Sequence, residues 1–257
     1  RRQRQMCIRD RVILSTITAS RLIYLLYQLL ELALSPALVL YLLYRGLRHG
    51  AYFRGLGERF GFLPPSFEST GVGSVWFHAV SVGEVLSAIE LIRRVRAERP
   101  DVDVFVSTAT LAGRATAEQR LAGLVKGIFY APLDYRSAVR RVLPRLRPAA
   151  VVVMETEIWP NLYREAKWAG ASLLVINGRI SDRALPRYLR FRWFFRHALA
   201  WPDAICVQSA QDATRYLEAG APRDKVHVAG NLKYDFRPPA EIAPAIAEFL
   251  DRAKPRQ

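Results

Sequence analysis

The apolar pattern begins with one long segment, residues 22–44, which reads LIYLLYQLLELALSPALVLYLLY. About 20 apolar residues in a helix cross the roughly 30 Å hydrocarbon core of a bilayer, so the segment predicts a membrane anchor. Glu31 and Pro36 interrupt it, which leaves an interfacial or buried hairpin broken at Pro36 as the alternative. The positive-inside rule places the rest of the chain in the cytoplasm, because four arginines follow directly: Arg45, Arg48, Arg54 and Arg59.

From Val75 onwards, short apolar runs alternate with amphipathic segments of helix length. The runs are VWFHAV, DVFVS, GIFYAP, AAVVVM, SLLVIN, AICVQ and KVHVAG. The predicted helices lie near residues 84–98, 111–122, 134–146, 158–169, 183–200 and 209–219. Buried strands that alternate with helices are typical of a parallel sheet with right-handed crossovers. The pattern therefore predicts an α/β, Rossmann-like domain over residues 45–235. The Pro-rich sequence RPPAEIAP that follows predicts a linker over residues 236–257 to a second, missing domain.

The chain is strongly basic, with a formal net charge of +15 over 257 residues. Residues 1–11, RRQRQMCIRDR, hold five arginines without an apolar period, and we expect them to be non-native or disordered. Without their net +4 the rest still carries +11, which suits anionic lipid or phosphorylated substrates. The sequence contains no zinc-finger spacing, RNP-type motif or helix-turn-helix signal, so we do not expect a nucleic-acid partner.

Cysteine and histidine usage narrows the chemistry. Cys7 and Cys206 offer no disulfide framework and suit a reducing compartment. The four histidines lack metal-ligand spacing with cysteines or carboxylates, so no metal site is expected.

Ligands of doubly wound sheets bind outside the carboxyl ends of the strands. Neither a G-x-G-x-x-G nor a Walker loop occurs at these ends, so the usual glycine cradle for a dinucleotide or triphosphate is absent. The polar residues that follow the predicted strands are Ser81 to Glu84, Ser107 to Thr110, Asp134, Glu155 to Asn161, Asn177 to Arg179, Gln208 and Asn231 to Lys233.

The stretch Ser81-Val82-Gly83-Glu84 fits the S-x-x-E capping box. Glu84 is therefore either a helix cap or a carboxylate placed for chemistry at the edge of the sheet. At a helix amino terminus we expect the dipole to hold it ionised.

Other charged residues at the strand ends also allow two interpretations. Glu155 and Glu157 follow a buried strand and either complement a helix dipole or perform chemistry. Lys233 is either a solvated surface residue or a charge for a ligand, and Arg179 has the fork that suits phosphate.

Five motifs occur in order after the apolar segment: RGLGERFGF, HAVSVGE, METEIWPN, NGRIS and GNLKYD. Together they resemble the amino-terminal part of the 3-deoxy-D-manno-octulosonic acid (Kdo) transferases, inverting enzymes of lipopolysaccharide synthesis. The resemblance implies a two-domain GT-B glycosyltransferase. Its amino-terminal half binds a phosphorylated lipid A precursor, and its carboxyl-terminal half binds CMP-Kdo. It also implies no cofactor, and attachment to the cytoplasmic face of the inner membrane by a single amino-terminal anchor.

The resemblance also implies roles for individual residues. Glu84 matches the general base of the family, and Glu155 and Lys233 match the pair assigned to transition-state stabilisation. Acceptor binding falls to Ser81, Gly83, Arg179 and Asn231.

Since the donor half is absent, we expect this chain alone to be inactive. Two alternatives stay open: another GT-B glycosyltransferase with a lipid acceptor, and a non-catalytic, membrane-bound lipid-binding module.

Overall fold

The computed structural model describes residues 2–71 and 73–235, with the backbone alone for residues 2–20, 51 and 54. The predicted linker over residues 236–257 lies outside this range. Helix α1 (Arg2–Arg48) continues through Pro36, so the alternative of a hairpin broken there is wrong. The same helix includes residues 2–11, for which the sequence predicted no element; that they are non-native stays a prediction.

Short helices connect α1 to the sheet, and strands and helices then alternate as predicted. The elements are α2 (Ala51–Arg54), α3 (Leu56–Arg59), β1 (Ser74–His78), α4 (Val82–Glu98), β2 (Asp103–Thr108), α5 (Leu111–Arg120), β3 (Gly127–Tyr130), α6 (Arg136–Leu146), β4 (Pro148–Met154), α7 (Pro160–Trp168), β5 (Ser172–Gly178), α8 (Leu185–Arg190), α9 (Arg192–Ala198), β6 (Ala204–Val207), α10 (Ala210–Ala219) and β7 (Val226–Val228). Single 3₁₀ turns span Pro65–Phe67, Arg223–Lys225 and Leu232–Asp235.

All seven predicted strands are confirmed, but the predicted helix over residues 183–200 is two helices. The backbone leaves the helical region at Phe191 (φ −105°, ψ 26°), which separates α8 from α9. This break brings the rings of Tyr188 and Phe195 to 4.5 Å, although residues seven apart in one straight helix are about 10 Å apart.

The strands of the described chain form one parallel sheet in the order β3-β2-β1-β4-β5-β6-β7. Alternate residues of each strand face opposite layers. Phe77, Val106 and Val152 pack with α4 and α5 on one face. Trp76 and Val151 pack with α6, α7 and α10 on the other. The predicted Rossmann-like fold is thereby confirmed.

Candidate functional site

The candidate site lies where the chain reverses its direction of travel across the sheet. Strands β1 and β4 pair at the centre, while β2 and β5 extend to opposite sides. Such a switch point leaves a crevice outside the carboxyl ends of the strands. A cavity of about 210 Å³ opens there, lined by Glu84, Glu155, Thr156, Glu157, Arg179, Ile180, Ser181, Ala184 and Tyr188.

Glu84 lies in the first turn of α4 and completes the predicted capping box. The Ser81 hydroxyl oxygen accepts the Glu84 N–H at 3.3 Å, and the same hydroxyl donates to Glu84 Oε1 at 2.7 Å. The other oxygen, Oε2, accepts the backbone N–H of Val80 at 2.9 Å. The capping box is confirmed, with the N–H of Val80 in place of that of the cap residue itself.

The environment of Glu84 raises the pKa of its carboxyl group above the ordinary value for glutamate. The side chain is only 5% exposed, and this burial raises its pKa to about 7, opposed by the hydrogen bonds from Ser81 and Val80. The nearby charges of Glu157 and Glu155 raise the pKa further. Desolvation outweighs these hydrogen bonds, so the expectation that Glu84 is held ionised at the helix amino terminus is not met at neutral pH. A carboxyl group that titrates near neutral pH is suited to proton transfer.

Glu155 follows β4 in the left-handed backbone region, with φ of 53°. Few non-glycine residues adopt this conformation, and at functional sites the surrounding structure holds them in it. Here the Glu155 N–H donates to the carbonyl of Ile176 at 2.8 Å, and the Tyr216 hydroxyl donates to the Glu155 carbonyl at 3.4 Å. The backbone of Glu155 is thus fixed from two sides.

The side chain of Glu155 lies between two cations from other strand ends. Its Oε1 is 3.5 Å from Lys233 Nζ, and its Oε2 is 4.0 Å from Arg179 Nε. The Glu155 side chain is 19% exposed, whereas Arg179 and Lys233 are each about half exposed. The carboxylate is therefore paired with Arg179, which lines the cavity, and with Lys233, which does not, and both cations are accessible to an anionic ligand.

Two asparagines hold the turn that carries Lys233. Asn177 is buried with φ of 60°, and its Oδ1 accepts the N–H of Leu232 at 3.1 Å. Asn231 Oδ1 accepts the N–H of Lys233 at 3.0 Å. The first bond fixes the turn after β7 next to the end of β5, and the second stabilises the turn itself.

The structure separates the four residues predicted to bind the acceptor. Arg179 lines the cavity, and Ser81 contacts it through Glu84. Gly83 and Asn231 are not among the lining residues. A Cβ atom at Gly83 would meet only Ser81 Oγ, at 4.0 Å, so close backbone packing does not demand glycine there.

Several lining residues were not singled out from the sequence. Thr156 and Ser181 lie inside the motifs METEIWPN and NGRIS, so the motifs were a signal for both. Tyr188 lines the cavity from α8 and lies outside the five motifs, so no signal marked it. For Glu157 the sequence allows either a helix-dipole partner or a residue that performs chemistry. It lines the cavity, its Oε2 accepts Trp159 Nε1–H at 2.6 Å, and burial raises its pKa.

His78 is not available as a base at this site. It is fully buried, its Nδ1 is 2.9 Å from Ser107 Oγ, and burial lowers its pKa to about 3. Within residues 2–71 and 73–235, no group of three or more His, Cys, Asp or Glu side chains is placed to hold a metal ion. The acid–base candidates of the cavity are thus carboxylates.

Comparison with known proteins agrees with the motifs. Residues 54–236 match the family model described as 3-deoxy-D-manno-octulosonic-acid transferase (kdotransferase). The chain is 33% identical over 192 residues to a 3-deoxy-D-manno-octulosonic acid transferase of Chlamydophila psittaci, covering 75% of this chain and 44% of the relative. It is 28% identical over 216 residues to the Haemophilus influenzae protein of that name, covering 84% and 50%. A probable mitochondrial 3-deoxy-D-manno-octulosonic acid transferase of Arabidopsis thaliana is 31% identical over 214 residues, covering 82% and 47%. The chain thus spans about half the length of the relatives that it matches.

Solved structures with a similar backbone are more distant. A UDP-N-acetylglucosamine 2-epimerase has a TM-score of 0.49 at 14% identity, covering 70% of this chain and 53% of that one. The UDP-GlcNAc 2-epimerase of Neisseria meningitidis, bound to UDP-GlcNAc, has a TM-score of 0.46 at 14% identity, covering 71% and 54%.

Proposed function

The chain belongs to the Kdo transferase family, and from this premise we propose that it is the acceptor-binding half of an inverting glycosyltransferase. The reaction moves Kdo from CMP-Kdo to a phosphorylated lipid A precursor in lipopolysaccharide core synthesis. The observation that carries the proposal is the pair of carboxylates across one cavity. Glu84 titrates near pH 7, and Glu155 is held between Lys233 and Arg179.

Glu84 acts as the general base. A sugar hydroxyl is a poor nucleophile at neutral pH, so its proton must leave as the oxygen attacks the anomeric carbon of the donor. The Glu84 carboxylate takes this proton, the new glycosidic bond forms with inversion, and CMP departs with the electrons of the broken bond. A buried carboxyl with a pKa near 7 accepts the proton more readily than an exposed glutamate, whose pKa is about 4.3.

Lys233 and Arg179 supply positive charge, and Glu155 positions it. Fixed charges at a partly desolvated site stabilise negative charge that develops in the transition state. The Glu155 carboxylate fixes Lys233 Nζ at 3.5 Å, although the lysine lies on a turn with a half-exposed side chain. Glu155 thus supports transition-state stabilisation through Lys233 instead of contacting the reacting atoms.

The donor site belongs to a second domain in the GT-B arrangement of this proposal. The chain spans about half of its relatives, and the cavity opens at the strand ends, where a second domain would face it. We propose that the protein acts at the cytoplasmic face of the inner membrane, which the acceptor lipid and the basic net charge support. Consistent with this, the part of α1 from Arg21 to Arg48 contains an 18-residue stretch with a mean hydropathy of 1.7.

The acceptor can be tested in a chimera. Residues 1–235 are joined to the carboxyl-terminal half of a Kdo transferase relative, which supplies the donor site, and incubated with CMP-Kdo and either a phosphorylated lipid A precursor or a polyprenyl phosphate. We expect transfer to the lipid A precursor alone. Transfer to the second lipid instead would favour a different lipid glycosyltransferase. A folded chimera that binds CMP-Kdo and lipid but transfers nothing would support a non-catalytic lipid-binding module.

A further inference from the structure

From residue 21 onwards, one face of helix α1 is buried or half-buried. The positions that are buried or half-buried recur every three or four residues, which marks a single face of an α-helix. They are Tyr24, Tyr27, Glu31, Ser35, Leu38, Leu42 and Arg45, with Ile23, Gln28 and Gly46 next to three of them. From Tyr24 to Arg45 the helix rises about 30 Å, so this face is as long as a bilayer core is thick.

The amino-terminal part of this contact is polar. The Tyr27 hydroxyl donates to Asp134 Oδ2 at 2.9 Å, and Trp201 Nε1–H donates to the Tyr24 hydroxyl. The guanidinium of Arg164 stacks 4.7 Å above the Tyr24 ring. Tyr24 is 4% exposed, so this end of the contact excludes solvent.

The polar contact continues through the middle of the helix. Asn161 Nδ2 donates to both carboxylate oxygens of Glu31, at 3.2 and 3.0 Å. The hydroxyls of Ser35 and Tyr135 are 2.8 Å apart. A carboxylate inside an apolar segment thus has a specific partner on the domain, which explains why the LELALS sequence tolerates Glu31.

The opposite side of α1 is exposed and apolar. We call it the leucine face; its members are Leu22, Leu25, Leu26, Leu29, Leu30, Leu32, Leu34, Val39, Leu40, Leu43 and Leu47, each at least 45% exposed. Leu26 and Leu30 share a cavity of about 310 Å³ with Phe191, Trp193 and Arg187 of the α8–α9 region. The leucine face therefore continues into a surface of exposed aromatics and arginines on the domain.

A helix docked in this way cannot cross a bilayer over residues 22–44. Tyr24 to Ser35 would lie in the hydrocarbon, and the domain residues that bind them would have to lie there too. Asp134 and Arg164 would enter with them, and charged groups at the bilayer centre are costly. The hydrogen bonds to the domain run from Tyr24 to Ser35, and residues 36–48 are too few to cross a bilayer, so the part of α1 from Arg21 onwards has no stretch of about 20 residues free of the domain.

We propose that α1 from Arg21 to Arg48 lies in the plane of the membrane, with the leucine face in the acyl region of one leaflet of an anionic bilayer. An amphipathic helix with aromatic and arginine neighbours binds a bilayer in this orientation, and the arginines attract anionic headgroups. Asp134 and Asn161 hold α1 at the start of α7, and the loop before α7 carries Glu155 and Glu157. The membrane plane is thereby fixed relative to the candidate site.

The experiment measures the depth of three positions on the leucine face. In protein whose Cys7 and Cys206 are replaced by serine, Leu25→Cys, Leu32→Cys and Leu43→Cys each carry a bimane label. The protein is bound to vesicles of phosphatidylethanolamine with one quarter phosphatidylglycerol that contain lipids spin-labelled at defined depths. The matched control is Leu86→Cys, since Leu86 is 45% exposed on α4, across the sheet from α1.

A second experiment measures the side of the membrane on which each end of the helix lies. Arg21→Cys and Arg48→Cys are each reacted with an impermeant maleimide, in spheroplasts and in inverted membranes.

We expect all three labels to be quenched equally by the shallow spin label, and both end positions to react from the cytoplasmic side only. A Leu32 label much deeper than the other two, with ends reactive from opposite sides, would show a span and overturn the proposal. Quenching no stronger than at Leu86 would overturn it too. The inference rests on the membrane attachment in the proposed function. Neither quenching nor maleimide labelling involves sugar transfer, so a failure of this inference can be distinguished from a failure of the proposed transferase activity.

Discussion

The raised pKa of Glu84 predicts that Glu84→Gln stabilises the protein at alkaline pH and leaves it unchanged at acid pH. Glutamine resembles the protonated acid: it can still accept the Val80 N–H and contact Ser81. In the folded protein burial raises the Glu84 pKa from 4.5 to about 7. Between these values the folded state binds more protons than the unfolded state, so stability falls as pH rises.

The size of this effect follows from the shift. Each pKa unit corresponds to about 1.4 kcal/mol, so ionised Glu84 costs the folded state roughly 3 kcal/mol above pH 7. Below about pH 4 the penalty is absent. Glu84→Gln removes the titration, so we expect its unfolding free energy to exceed that of the wild type by about 3 kcal/mol at pH 8 and to match it near pH 4.

Urea unfolding followed by tryptophan fluorescence in a nonionic detergent measures this difference across the pH range. Other titrating groups are common to both proteins, so their contributions cancel in the difference. A stability difference that does not change between pH 4 and pH 8 would refute the argument, because it would mean that Glu84 titrates as an ordinary glutamate.

Three further expectations follow from the site and from α1. Ser81→Ala should destabilise the domain by about 1 kcal/mol through loss of the cap, measured by urea unfolding, while transfer in the chimera stays substantial because the Glu84 carboxylate remains. The chain should stay on anionic vesicles in 1 M salt, where the Debye length is about 3 Å; release in a flotation assay would mean that charge alone holds it. Glu155→Gln and Lys233→Ala should each lower transfer in the chimera, and the double variant should lose little more than either one, since both disrupt the same pair. Fully additive losses in kcat/KM would show that they act separately.

The sheet could be predicted because each strand is a compact apolar run, such as AAVVVM, between clear amphipathic segments. Parallel connectivity then placed Glu84 and Glu155 at the same edge, and the structure brings them into one cavity. The pKa of Glu84 could not be predicted from the sequence, because it depends on how far the fold buries the carboxyl group. The contacts of α1 with the domain could not be predicted either. Tyr27 and Glu31 bind Asp134 and Asn161, which are more than a hundred residues away in the sequence.

The central claim, that Glu84 is the general base of Kdo transfer, is tested most directly by the pH dependence of kcat/KM in the chimera and in its Glu84→Gln variant. Below the Glu84 pKa of about 7 the carboxyl is protonated and cannot accept a proton, so wild-type kcat/KM should fall as pH is lowered through this value. The kcat/KM of Glu84→Gln should be lower than that of the wild type by a factor of roughly 10²–10⁴. Its pH profile should also lack this fall at low pH, the acid limb. A Glu84→Gln variant that transfers Kdo at a rate near that of the wild type, with the same acid limb, would contradict the claim and leave Glu84 as a helix cap alone.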